Sequence, residues 1–119
     1  MKLESRVTSH ESRVWFPIKE LADKVNNGEM SALELVQKSL DLIKKLNPEY
    51  SAIISTLEEN AINRATEIDA KIKNGEKAGR LAGVPFIAKD NFLVFGAETT
   101  AGSNILKGFN APYQATAIE

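Results

Sequence analysis

Charge almost disappears from this chain after Gly83. Of its 119 residues, 13 of the 15 lysines and arginines and 13 of the 16 aspartates and glutamates precede that glycine. Because charged side chains are rarely buried unless they are paired, the nearly uncharged last third is predicted to be the more buried part of the fold. The length and the composition, 43% hydrophobic and 26% charged, indicate one globular domain or one piece of a larger domain.

The charged part of the chain carries three helical patterns. Apolar residues recur at helical spacing over residues 17–28, 31–48 and 56–75. Each pattern ends at a turn-forming pair, Asn-Gly or Asn-Pro, as expected at a helix C-terminus. Residues 1–14 are polar and without period, and residues 1–16 are predicted to form a flexible N-terminal extension.

The starts and ends of these helices are predicted from capping residues. Ser31 and Glu34 match the spacing of a capping box, and so do Thr56 and Glu59. Pro48 predicts the end of the second helix, because proline lacks the N–H that a helix interior needs.

Short apolar runs at residues 53–54, 84–88 and 92–95 predict strands. Lys89 directly follows the second run, a position at the edge of a sheet where α/β proteins hold their sites. Since burial disfavours the ammonium form, a lysine there can lose its proton and serve as a base. A surface lysine that happens to end a strand is the plainer alternative, and residues 90–91, Asp-Asn, also suit an ordinary turn.

Several classes of site are excluded by residue content. The chain has no cysteine and one histidine, His10, so a thiolate nucleophile, a cysteine-ligated metal and a Ser-His-Asp triad are not expected. No cofactor-binding or metal-binding residue is predicted. The formal net charge of −1 does not favour direct nucleic-acid binding. The first residues lack a secretory signal and no apolar run spans a bilayer, so we expect a cytoplasmic protein without a membrane partner.

Residues 99–103, Thr-Thr-Ala-Gly-Ser, form a second polar motif. Their hydroxyls and glycine suit an oxyanion site or a pocket wall, but a turn followed by a helix cap is the commoner use of such a run. Ser103 is expected to cap a brief helix that contains Ile105 and Leu106. No phosphate-binding loop and no dinucleotide fingerprint occur in the sequence.

Taken together, these motifs resemble the start of the amidase signature family. The resemblance covers residues 17–119. Its motifs are the helix ending near Leu46-Asn47-Pro48, Leu81-Ala82-Gly83-Val84-Pro85, Lys89-Asp90-Asn91, Thr99-Thr100-Ala101-Gly102-Ser103 and Ala111-Pro112-Tyr113-Gln114-Ala115-Thr116. The last motif favours one branch of the family, the A subunits of the Glu-tRNA(Gln)/Asp-tRNA(Asn) amidotransferases.

The resemblance implies an α/β fold and a catalytic role for one residue. Residues 17–119 would be the incomplete N-terminal part of an α/β/α domain, with three helices followed by short strands of a mixed sheet. Lys89 would match the catalytic lysine of a Ser–cis-Ser–Lys triad that hydrolyses an amide. Both serines of that triad would lie downstream of Glu119, so we expect the 119-residue chain alone to be inactive.

The resemblance also implies partners. The A subunit releases ammonia from glutamine and works with B and C subunits, the partner subunit using ATP and Mg²⁺ to convert Glu-tRNA(Gln) to Gln-tRNA(Gln). The misacylated tRNA would bind through the complex. Two alternatives stay open: part of a stand-alone amidase for a small amide, and a small non-catalytic interaction module.

Overall fold

The computed structural model describes residues 16–119, which divide into two compact units after Pro85. The first unit contains three helices, α1 (Ile18–Asn26), α2 (Ala32–Tyr50) and α3 (Glu58–Lys73). The second unit, Phe86–Glu119, contains a single turn of 3-10 helix, Asn104–Leu106. The predicted extension of residues 1–16, with His10, lies outside the described residues except for Phe16, so that prediction is untested.

The helical unit has an apolar core. Its α2 and α3 pack against each other, and α1 packs against α3. The buried residues of this core are Leu21, Val25, Ala32, Leu35, Ala65 and Ala82. Leu35 and Val25 are fully buried, and each such side chain contributes about 1.5–3 kcal/mol relative to exposure in water. The helical periodicity predicted all three helices, and the structure contains them.

The N-terminus of α2 is capped from two directions. The Oγ of Ser31 accepts from the Glu34 N–H at 3.3 Å, which is the serine half of the predicted capping box. The other free donors go to Asp69 of α3, whose carboxylate accepts from the N–H groups of Ala32 (2.7 Å) and Leu33 (3.2 Å). Asp69 also accepts from the Ser31 hydroxyl at 2.6 Å. The cap therefore ties α3 to the start of α2.

These contacts set the charge state of Asp69. Partial burial raises the pKa of its carboxyl group. The hydrogen bonds from Ser31, Ala32 and Leu33 and the charge of Lys73 outweigh burial, so that the pKa is below its ordinary value of 3.8.

Two predicted helix boundaries are wrong. Helix α2 continues through Pro48 to Tyr50, because Asn47 is held in helical conformation from both sides: its carbonyl accepts from the Ser51 N–H, and its side-chain amide exchanges two hydrogen bonds with the backbone of Ile53.

The second error concerns the start of α3. This helix begins at Glu58 and has Leu57 at its N-cap, without a side-chain cap hydrogen bond. The capping box predicted at Thr56 therefore does not form. Two carboxylates in the first turn, those of Glu58 and Glu59, instead complement the positive end of the helix dipole.

The end of the helical unit packs closely against its core. Gly83 has a φ of +68°, and a Cβ at this position would lie 2.9 Å from a Val25 methyl carbon and 3.0 Å from the Ala32 Cβ. The preceding connection is held by Asn26, whose side chain donates to the carbonyl of Gly79 and accepts from the N–H of Ala78. Glycine at position 83 is therefore needed for both conformation and space.

The sheet part of the predicted α/β fold is not confirmed. No strand forms within residues 16–119, and the second unit has one isolated antiparallel bridge, between Glu98 and Asn110. The runs at residues 53–54, 84–88 and 92–95 have no ladder partner in the described chain, and a strand is stable only when its backbone groups are paired. Within residues 16–119 the structure contains three α-helices followed by largely irregular structure.

The prediction that the last third is the more buried part is also wrong. In the second unit the buried residues are Thr99 and Ala111. Large apolar side chains there are exposed, among them Phe86, Ile87, Phe95, Ile105 and Tyr113. The segment is apolar, as its sequence indicates, but no helix or sheet within it covers these side chains.

Candidate functional site

Lys89 opens a tight turn in the second unit. Its carbonyl oxygen accepts from the Phe92 N–H at 2.9 Å, so residues 89–92 form a hydrogen-bonded β-turn. The Lys89 side chain is exposed, and within residues 16–119 its amine takes part in no ion pair or side-chain hydrogen bond. The burial expected for a base at the edge of a sheet is therefore not present in the described chain.

The next residue, Asp90, joins this turn to the Thr-Thr-Ala-Gly-Ser motif. One carboxylate oxygen accepts from the Thr100 N–H at 2.9 Å, and the other accepts from the Thr100 hydroxyl. The Asp90 carbonyl oxygen accepts from the Ala101 N–H at 2.8 Å. Three hydrogen bonds thus hold two motifs that are ten residues apart in sequence. We call this arrangement the Asp90–Thr100 latch.

Hydrogen bonding stabilises the ionised form of Asp90. The hydroxyl and then the amide of Thr100, with a further contribution from the amide of Gly102, hold the pKa of this carboxyl below 3.8, and a smaller opposing effect of burial does not cancel them. Asp90 is therefore a carboxylate at neutral pH, with its charge directed at the 100–102 loop.

The Thr-Thr-Ala-Gly-Ser loop is tightly bonded within the second unit. The Thr99 N–H donates to the Phe109 carbonyl at 3.0 Å. Ala101 adopts a left-handed φ of +48°, which is uncommon for a residue with a Cβ, and Gly102 follows at +73°. Ser103 accepts from the Ile105 N–H and caps the 3-10 helix, which confirms the predicted role of this serine.

The structure joins the Lys-Asp-Asn turn to the 99–103 loop through Asp90, a pairing that the sequence patterns did not predict. The Asp-Asn pair lies in a turn, as its sequence indicates. The side chain of Asp90, however, accepts hydrogen bonds from Thr100, ten residues further along the chain, and no local pattern marks such a pairing.

The chemical repertoire of this site is narrow. The second unit offers the amines of Lys89 and Lys107 and one serine, Ser103, whose hydroxyl serves the helix cap. No group of three or more His, Asp or Glu side chains suited to a metal ion occurs within residues 16–119. The role of a base expected for Lys89 stays a prediction, since no contact among the described residues tests it.

Two shallow depressions on the described surface do not include Lys89. One is lined by α1 and the α1–α2 connection, and the other by the ends of α1 and α3. Both are edged with charged side chains. In the described part of the chain, no helix has the length and apolar character needed to cross a bilayer.

Comparison with known families matches this site to a class of enzyme. Residues 34–119 match the family described as Amidase. The match covers more than half of the chain and includes both Lys89 and the 99–103 loop. The chain therefore belongs to the amidase family.

Relatives within that family share a more specific name. The chain is 46% identical over 101 residues to the glutamyl-tRNA(Gln) amidotransferase A subunit of Bdellovibrio bacteriovorus, covering 85% of this chain and 20% of the relative. It is 42% identical over 102 residues to that of Thermoanaerobacter pseudethanolicus, covering 86% and 21%. With the human mitochondrial A subunit the identity is 41% over 102 residues, covering 86% and 19%.

These alignments cover most of this chain but a small part of each relative. The chain spans about a fifth of the length of these curated relatives. No solved structure matches the chain.

Proposed function

We propose that this chain is the N-terminal part of a glutamine-hydrolysing A subunit of a tRNA-dependent amidotransferase. The observation that carries the proposal is the 38–46% identity to A subunits of glutamyl-tRNA(Gln) amidotransferases over 85% or more of this chain. The Lys-Asp-Asn motif and the Thr-Thr-Ala-Gly-Ser motif lie within the part that matches the amidase family.

In this proposal Lys89 is the general base. Its neutral amine takes a proton, through a second serine, from the serine that attacks the side-chain amide carbon of glutamine. The nitrogen leaves as ammonia, and water hydrolyses the resulting ester to glutamate. Both serines belong to the remainder of the protein. Because the Lys89 side chain is exposed in the described chain, the proposal requires that residues outside it bury this amine in the complete site.

The exposed apolar side chains of the second unit support the same view. Side chains such as Ile105, which is 93% exposed, are normally covered in a folded protein when several of them occur in one short segment. We propose that the remainder of the protein covers them, and that B and C subunits complete the enzyme. The ammonia would then reach a partner subunit that activates the glutamate of Glu-tRNA(Gln) with ATP and Mg²⁺.

A graft tests this proposal. The matched 101 residues of this chain replace their counterparts in the Bdellovibrio A subunit, which is expressed with the other subunits of its own complex. We expect glutaminase activity in the graft, its loss on Lys89→Ala, and no activity in the 119-residue chain alone. Lys107→Ala, at the other lysine of the second unit, is the matched control and should leave activity unchanged. A Lys89→Ala graft that turns over glutamine normally would contradict the proposal.

A further inference from the structure

The residue that precedes Asp90 in the sequence carries the opposite charge. Lys89 is adjacent in sequence, and its ammonium would be a natural partner for a carboxylate. Among the described residues the two side chains form no ion pair, and both oxygens of Asp90 are bonded to Thr100. The hydrogen bonds of the latch therefore orient the Asp90 carboxylate toward Thr100.

This separation has a direct consequence for a base. A carboxylate held beside an ammonium group favours the charged form, and a charged amine accepts no proton. If the Thr100 hydroxyl were removed, one oxygen of Asp90 would lose its donor, and the carboxylate would be less firmly held in its orientation toward the 99–103 loop and freer to turn toward Lys89. Paired with Lys89, the Asp90 carboxylate would favour the charged amine, which accepts no proton. Bonded to Thr100, it does not have this effect.

The backbone around the latch is strained, which indicates that the arrangement is held in place. Ala101 adopts a left-handed conformation, with a φ of +48°, that is unfavourable for a residue with a Cβ. Its N–H donates to the Asp90 carbonyl at 2.8 Å, and Gly102 donates to the Thr100 hydroxyl at 3.2 Å. Such conformations persist where the surrounding contacts determine them, and they concentrate at functional sites.

We propose that Asp90 and Thr100 are positioning residues for Lys89. They fix the backbone of the lysine-bearing turn against the 99–103 loop and keep the Asp90 carboxylate from pairing with the amine. The inference rests on the proposed function, since it assigns the latch to the reaction in which Lys89 is the base.

The first test uses the grafted A subunit with its partner subunits. In Asp90→Ala, which removes both bonds of the carboxylate, kcat for glutamine is expected to fall about 10- to 100-fold, with KM little changed, because the base is displaced and the substrate pocket is not. In Thr100→Val, kcat is expected to fall less, and the acidic limb of the kcat/KM profile is expected to move to higher pH, since the released carboxylate favours the charged amine. Thr100→Ser keeps the hydroxyl and should restore both the rate and the profile.

The outcomes separate the two proposals. If Lys89→Ala abolishes activity while Asp90→Ala and Thr100→Val keep the unaltered kcat and pH profile, the latch inference is overturned and the proposed function stands. If Lys89→Ala is fully active, the proposed function is overturned and the inference with it.

A second measurement does not depend on activity. In the 119-residue chain, amide hydrogen exchange is expected to show protection at Thr100 and Ala101. Asp90→Ala removes the acceptor of the Thr100 N–H and should increase exchange at that amide by about two- to tenfold, with a smaller increase at Ala101, whose acceptor is the retained backbone carbonyl, while the amides of α2 stay unchanged. Thr100 and Ala101 amides that exchange as fast as an unstructured peptide in the unaltered chain would overturn the latch.

Discussion

The two units of this chain differ in the interactions that stabilise each of them. The helical unit buries apolar side chains from all three helices around Leu35 and Val25. The second unit buries Thr99 and Ala111 and is organised by hydrogen bonds between loops. Burial of apolar surface gives the helical unit its stability, whereas the second unit has a defined backbone and exposes the apolar side chains that would give it a core.

The largest effect is expected from the centre of the helical core. Leu35→Ala should lower the free energy of unfolding by about 2–5 kcal/mol, because it leaves a cavity at a fully buried site. Urea unfolding followed by helical circular dichroism measures it. The matched control is Ile105→Ala in the second unit, expected to change stability by less than about 0.5 kcal/mol. Equal losses in the two variants would remove the distinction between the units.

Gly83→Ala should have the next largest effect. The added Cβ would lie 2.9 Å from Val25 in a backbone conformation that disfavours side chains, at a cost of about 2–4 kcal/mol. Gly75→Ala is the control, because Gly75 has a similar φ of +79° and no atom within 4 Å of the added carbon. Its expected loss, about 1–2 kcal/mol, isolates the conformational part. Thermal melts of the two variants that coincide would show that close packing at Gly83 contributes nothing.

A smaller, pH-dependent effect is expected at the cap of α2. Because the folded-state pKa of Asp69 is lowered, its contribution to stability is present above its ordinary value of 3.8 and is lost as the pH falls through the folded-state value. Asp69→Asn should cost about 0.5–2 kcal/mol at pH 7, by analogy with N-cap substitutions.

The stabilities of Asp69→Asn and the unaltered chain should converge in acid, as urea unfolding at several pH values would show. Asp41→Asn, at an exposed position on α2, is the control and should run parallel to the unaltered chain. An Asp69→Asn curve that also runs parallel at all pH values would contradict the assigned role of this carboxylate.

The smallest change in stability is expected on the apolar surface of the second unit. Ile105→Ser should leave the free energy of unfolding within about 0.5 kcal/mol and lower the fluorescence of a bound hydrophobic dye. Leu81→Ser replaces a side chain in the helical unit that is 68% exposed and serves as the control, with little change in dye fluorescence. If the control lowers the dye signal as much, the second unit is not the distinctive apolar surface.

Much of the helical unit could be predicted from local sequence. Helical spacing of apolar residues located the three helices, and the Ser31 cap and the Ser103 cap were both predicted, because each depends on residues within one turn of the cap. The helix end predicted at Pro48 is wrong because hydrogen bonds of the neighbouring Asn47 hold the chain beyond it. The start predicted at Thr56 is wrong because α3 begins at Glu58, with Leu57 at its N-cap. The part of the candidate site that sequence predicted is Lys89, whose role stays a prediction.

The pairings between residues distant in sequence were decided only by the tertiary structure. Asp69 completes the cap of Ser31 across 38 positions, and Asp90 binds Thr100 across ten. In both cases folding places a carboxylate next to hydrogen-bond donors from another part of the chain, and the periodicity of the sequence does not predict these pairs. The apolar runs of the last third follow the same rule: sequence determined that they are apolar, but whether they pair as strands depends on partners that local pattern cannot supply.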